Sequence, residues 1–238
     1  MGVSPLFAGA LGAGGMVNWI TVADEDRPIF DEWYDFEHLP ERVSTPGFLR
    51  ARRFIASEGH RPGHHDFLTL YETVDVDVLA SSEYLRRLDA PTELTQRVVV
   101  LFREFRRAAC TLTVARGVGS TGRVLAAEIE ADSAAGLRDP IDRLLSRMIE
   151  SHALHAGSLW EPDRAVSDAK ATTAEGRSSR QQRTGEASLL LLEPPVGAEA
   201  SALLTEMDDS LDGRLGTSGR EYTCLFELRA HPDPTTAR

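Results

Sequence analysis

The stretch VNWITVADEDRPIFDEWYDFEHLPERVSTPGFLRARRF, residues 17–54, contains a strand, a helix and a second strand in immediate succession. Val17-Asn18-Trp19-Ile20-Thr21-Val22 reads as a buried strand. Asp26 then supplies an N-cap and Pro28 an early-turn proline for a helix over 28–38. Leu39 precedes Pro40, a position where helical geometry is disfavoured, so the helix is expected to break just after His38. Past Pro46-Gly47, a strand from Phe48 to Ala56 is predicted. The helix also concentrates carboxylates, an imidazole, a guanidinium and aromatic rings within a few turns, a mixture that can build a core and a reactive pocket together.

Outward from this stretch come a Gly/His/Pro-rich turn over Gly59 to His65 and a strand from Asp66 to Glu72. A helical region from Val76 to Leu101, interrupted near Ala90-Pro91, leads to a strand from Ala108 to Ala115. The order is β-α-β-β-α-β, the ferredoxin-like split unit. The second half repeats it, with strands at Arg123–Glu130, Ala153–Trp160, Ala187–Glu193 and Arg220–Leu228 and helices at Leu137–Glu150 and Ala198–Asp212. Trp19 falls opposite Leu125, and Phe54 opposite Trp160, at one offset of 106 residues, and each half carries its lone cysteine, Cys110 or Cys224, in its last strand. The expected fold class is therefore α+β: two tandem ferredoxin-like units over 16–117 and 118–230, packed as an α/β barrel with an apolar cavity between sheet and helices. Residues 1–15 read as a disordered leader, with Met16 as an alternative start, and 231–238 as a tail. The polar segment from Asp163 to Glu186 has no apolar periodicity and reads as a long mobile hairpin loop.

Composition narrows the function. A formal charge of −11 and a pI near 5.1 oppose a phosphate backbone, and no basic stripe compensates, so nucleic acid is not an expected partner. All 26 cationic side chains are arginine except Lys170, whose polar surroundings make it a poor nucleophile. Two distant cysteines exclude a disulfide framework and a zinc knuckle. The apolar start lacks a basic residue before Arg27 and is glycine-broken, so neither a signal peptide nor a membrane span is predicted, and a cytoplasmic location follows.

The strings FDEWYDFEHLPERVSTPGFLRARRF (30–54), FLTLYE (67–72) and SSEYL (81–85) resemble the bacterial proteins grouped with EthD-like domains in the dimeric α/β-barrel superfamily. The similarity covers about residues 16–115 well and the second half by pattern only. It implies ferredoxin-like halves with a pocket in each sheet and a homodimer as one way to complete the assembly. It also implies cofactor-free cyclase, isomerase, lyase or monooxygenase chemistry, or a haem enzyme as the alternative. In EthD-like sequences and related polyketide cyclases a histidine near the end of the first helix faces the pocket, and His38 matches it. At the 106-residue offset Trp33, Tyr34 and His38 become Asp139, Pro140 and Leu144, so a site is expected in the first half alone.

An imidazole titrates near pH ~6.5 and serves as acid or base without large tuning. His38 could therefore abstract a proton α to a carbonyl, with Tyr34, one turn earlier, donating to the oxyanion. The same histidine could instead cap the helix C-terminus. Glu37 and Glu41 could orient the ring or form a solvated face. Arg42 and Arg52 could each bind a carboxylate or phenolate, or pair on the surface. Trp19, Trp33, Phe36, Phe67 and Tyr71 could line a pocket for an apolar aromatic molecule or simply fill the core. The His60, His64, His65 group suggests no metal site, because Asp66 is the sole nearby carboxylate. His152 or His155 could be axial by analogy with haem-binding relatives. The sequence thus predicts a small-molecule enzyme with His38, Tyr34 and Arg42 as its chemistry, or a protein that only binds an apolar ligand.

Overall fold

The computed structural model describes residues 10–58, 61–130, 136–169, 173–178, 182–215 and 219–230. Its nine strands among those residues are β1 Gly14–Ala23, β2 Phe48–Ala56, β3 His64–Thr73, β4 Glu104–Gly117, β5 Arg123–Ile129, β6 Ala156–Pro162, β7 Gln182–Thr184, β8 Ser188–Glu193 and β9 Arg220–Arg229. Eight of them close into an antiparallel barrel in the order β4-β1-β3-β2-β9-β5-β8-β6, with β6 returning to β4. Short β7 lies outside, parallel to β4. Each half supplies four neighbouring strands in the order fourth, first, third, second. The halves join through β2–β9 and β4–β6, so this one chain uses up the edges of all eight barrel strands. A homodimer would need some other surface.

Strand alternation sorts the side chains into three cores. Val17, Phe54, Leu68, Leu70, Trp160 and Leu191 belong to the core inside the barrel. Met16, Ile20, Phe67 and Tyr71 face outward under the helices of the first half: α1 Arg27–Trp33, α2 Leu39–Val43, α3 Ser82–Leu88 and α4 Glu93–Val99. Leu125, Ala127 and Leu190 do the same under α5 Arg138–Glu150 and, later in the chain, the Ala200–Ser210 helix. One barrel end is closed by a buried ionic group. Glu72 Oε1 accepts from Arg50 Nε and Nη2 at 2.8 and 2.6 Å, its Oε2 accepts from the Leu11 N–H at 2.6 Å, and Arg52 bonds Glu193. The other end opens into a cavity of about 110 Å³, among whose lining residues are Trp19, Asp66, Arg106, Glu128, Arg220 and Tyr222.

Four expectations change. The first helix does not end at His38: Tyr34–His38 form a π turn in which the Leu39 N–H bonds the Tyr34 carbonyl, and α2 continues to Val43. Pro40 then sits in the first turn of α2, where a missing N–H leaves nothing unsatisfied. His38 therefore caps no helix terminus. The segment read as a structureless loop, 163–186, carries α6 Arg164–Ala169, α7 Ala174–Ser178 and β7, because Val166, Ser167, Thr173 and Glu175 find buried places despite the polar composition. Its Lys170 lies outside the described residues. The strand assigned to start near Val17 starts at Gly14, so the span read as leader reaches into β1, while residues 1–9 lie outside the description. Finally, Trp19 sits on the β1 face that carries Val17, toward the barrel interior, whereas Leu125 faces the helices; the 106-residue offset holds for Phe54 and Trp160 but slips by one at the first strand, which reverses the face.

Candidate functional site

On the outer face of the first-half sheet one cross-strand row is polar: Arg107 on β4, Asn18 on β1, Thr69 on β3 and Arg53 on β2 stand side by side and all are buried. The α1–π–α2 segment lies over this row and lowers Tyr34 onto it. The π turn matters here, because its extra residue per turn keeps Trp33, Tyr34 and His38 all buried, the ring centroids of Trp33 and Tyr34 lying 4.3 and 5.1 Å from that of His38 in tilted arrangements. Trp33 Nε1 donates to Thr95 Oγ1 at 2.9 Å, which ties the helix to α4. Asn18, Trp33, Tyr34, His38, Arg42 and Glu175 are among the residues around a cavity of about 10 Å³, room for about one water.

Electrostatics differ along the row. Arg53 is matched: it bonds Asp31 and, at 2.8 Å, Asp35, and lies 4.7–5.0 Å from the rings of Phe30, Tyr34 and Phe67. Arg42 is held by Glu175 at 2.5 Å and Glu41 at 3.3 Å, and these acids keep it charged despite burial. Burial raises the Tyr34 pKa against the opposing effect of Thr69, Tyr71, Asn18 and Arg53. Burial raises Tyr71 further, with Tyr34 adding to the shift, and the Tyr71 hydroxyl donates to Tyr34 at 3.3 Å. Both phenols are therefore neutral donors at physiological pH.

These shifts set a pH dependence. The unfolded chain releases phenolic protons near the ordinary value of 10, whereas folded Tyr34 and Tyr71 hold theirs longer and Tyr222, desolvated at the barrel mouth, is pushed up to about 12. The stabilisation is whole below pH 10 and is lost as pH rises through the folded values. Phenolate absorbance is expected to show these three tyrosines ionising only together with loss of the fold; their ionisation near pH 10 in folded protein would contradict the burial.

The structure brings together Tyr34, His38, Arg42, Trp33 and Tyr71 of the predicted set. It separates the others. Phe36 is 83% exposed, because two residues past Tyr34 on the same helical segment it points away from the sheet. Trp19 faces the barrel mouth, under Arg106 at 4.5 Å, and Arg52 lies inside the barrel among Glu72 and Glu193. Phe67 packs on Phe30 at 4.8 Å, supporting the row from one side. Glu37 accepts from Thr92 and Thr95 rather than orienting the imidazole. His64 and His65 bond the Pro62 carbonyl and Asp24, and His60 lies outside the described residues. His152 and His155 are exposed around the turn after α5. Sequence reading missed Asn18, Thr69, Arg107 and Glu175. A polar residue on the helix-facing side of VNWITV was a readable sign for Asn18, whereas nothing local ties Glu175 to Arg42, 133 positions away.

Neither a family model nor a curated protein matches the sequence. The fold is similar to that of an anthrone oxidase-like protein, with TM-score 0.58 at 9% identity over 94% of this chain and 95% of that one. It is also similar to a candidate monooxygenase from Lactobacillus acidophilus NCFM, at 0.53 and 8% over 92% and 97%. A candidate monooxygenase from Fusobacterium nucleatum subsp. nucleatum gives 0.51 and 7% over 92% and 95%. These neighbours belong to the dimeric α/β-barrel superfamily, and at such identities the likeness concerns the fold alone. No helix among the described residues is long and apolar enough to cross a membrane.

Proposed function

We propose that the protein is a cofactor-free, EthD-like enzyme of small aromatic or polyketide-like carbonyl compounds, working at the first-half cavity. The recurrence of one strand order in both halves supports descent from a duplicated ferredoxin-like unit, of which only the first half keeps a polar site. The observation that carries the reading is the convergence of Tyr34, His38, Arg42 and Asn18 on one buried cavity walled by aromatic rings. His38 takes a proton from the carbon α to the ligand carbonyl. Tyr34, protonated at working pH and accepting from the Tyr71 hydroxyl, donates to the developing oxyanion, with the Arg42–Glu175 pair beside it. Isomerisation returns the proton from His38 to another carbon; cyclisation delivers it to the alkoxide formed at the attacked carbonyl, and elimination releases it with the leaving group.

The cavity has room for about one water, and no step is assigned to a haem. The small volume means that a ligand makes room by displacing side chains of the Glu175 segment or α4. The test is turnover of a panel of aromatic β-dicarbonyl compounds, followed for His38→Ala and Tyr34→Phe. His38→Ala is expected to lose about 100-fold or more in kcat. Unchanged turnover in that variant would sink the reading, and tight binding without turnover in the parent would make the protein a ligand carrier.

A further inference from the structure

Arg107 is 1% exposed, and its two terminal nitrogens have no hydrogen-bond partner and join no ion pair among the described residues. At the far end of the same row Arg53 has two carboxylates and three ring faces, so the sheet face is charge-balanced at one end only. A buried guanidinium without a counter-charge is costly, and such a group is retained where something else supplies the charge. Met16 stands between Arg107 and the cavity: it lines the cavity, its Sδ lies 3.0 Å from Arg107 Nε and 3.3 Å from the Tyr84 hydroxyl, and an unbranched thioether moves aside readily.

We infer that Arg107 is the anion-binding subsite of this cavity, and that the ligand is an aromatic anion carrying a carboxylate, phenolate or enolate oxygen. The inference rests on the proposed small-molecule pocket and adds the charge of what it takes. Arg42 is already neutralised by Glu175, which leaves Arg107 as the position where a ligand's negative charge is gained rather than exchanged.

Calorimetric titration with 2-naphthoate and its neutral amide, on the full chain, tests it. The parent is expected to prefer the carboxylate. Arg107→Met should weaken 2-naphthoate by about tenfold or more while leaving 2-naphthamide within about twofold, because a charge-assisted fork is lost and the apolar wall is not. Without ligand, Arg107→Met should melt no lower than the parent, since it removes an uncompensated charge, and Arg107→Lys should keep part of the carboxylate preference. Equal binding of acid and amide, unchanged by Arg107→Met, would overturn the subsite while the pocket stands. A strongly destabilised Arg107→Met would also overturn it, by showing that the guanidinium is a structural partner. Binding of neither probe to the parent would remove the pocket reading and the subsite together.

Discussion

Replacing Glu72 by alanine is expected to destabilise the folded chain by about 3–5 kcal/mol, the range for stripping one partner from a buried ion pair. Glu72 is fully buried at the closed end of the barrel, where its carboxylate takes two hydrogen bonds from Arg50 and one from the Leu11 backbone, with Arg52 Nε 3.7 Å away. Alanine leaves Arg50 with Glu227, 3.9 Å away and partly exposed, in place of the buried carboxylate that bonds it at 2.6 Å. The cost is the desolvation of a stranded cation, not the worth of the pair. A double change, Arg50→Met with Glu72→Met, is accordingly expected to recover most of the loss, because well-packed apolar side chains replace the whole pair. Urea denaturation of the two variants measures both. A loss below about 1 kcal/mol for Glu72→Ala would show that water reaches this end of the barrel.

Trp33→Ala is expected to cost a similar 3–5 kcal/mol, the range for truncating a large buried aromatic. Trp33 is almost wholly buried, stacks near His38 and Tyr34, packs on Phe30 and Phe102, and anchors α4 through its indole bond to Thr95. Its removal merges a ring-sized void with the cavity beside His38. Added indole is therefore expected to raise the melting temperature of the variant in a concentration-dependent way and to leave the parent unmoved, as binding to the folded state alone requires. Stability close to that of the parent would mean that the helix collapses onto the sheet, and the site geometry around His38 would have to be redrawn.

Much of this architecture was readable from the chain. The hydrophobic period separated strands from helices, so each predicted element of both halves has an observed counterpart, with ends displaced by a few residues. Leu137–Glu150 against Arg138–Glu150 is typical. The Trp33, Tyr34, His38 cluster was readable as well, since helical spacing alone puts such residues on neighbouring turns. Phe36 lies outward by plain helical periodicity, two residues past Tyr34, whereas Leu39-Pro40 reads as a stop because the rule for residues before proline does not foresee a π turn that moves Pro40 to a helix start. Asp163 to Glu186 was misread because composition reports average burial, and three or four well-placed side chains suffice to seat a short helix.

The sequence by itself determined the strand and helix order and the presence of a histidine and tyrosine one turn apart on a helix facing a sheet. These are local properties, set by periodicity and capping within a few residues. Tertiary structure alone decided which guanidiniums are satisfied. Arg42, Arg50, Arg52, Arg53 and Arg107 look alike in the chain, yet Arg42 meets Glu175, Arg50 meets Glu72, Arg52 meets Glu193, Arg53 meets Asp31 and Asp35, and Arg107 meets no carboxylate among the described residues. Charge compensation falls off over a few ångströms and is supplied here from a paired strand, a strand of the other half and two helical segments, so only the folded chain determines it.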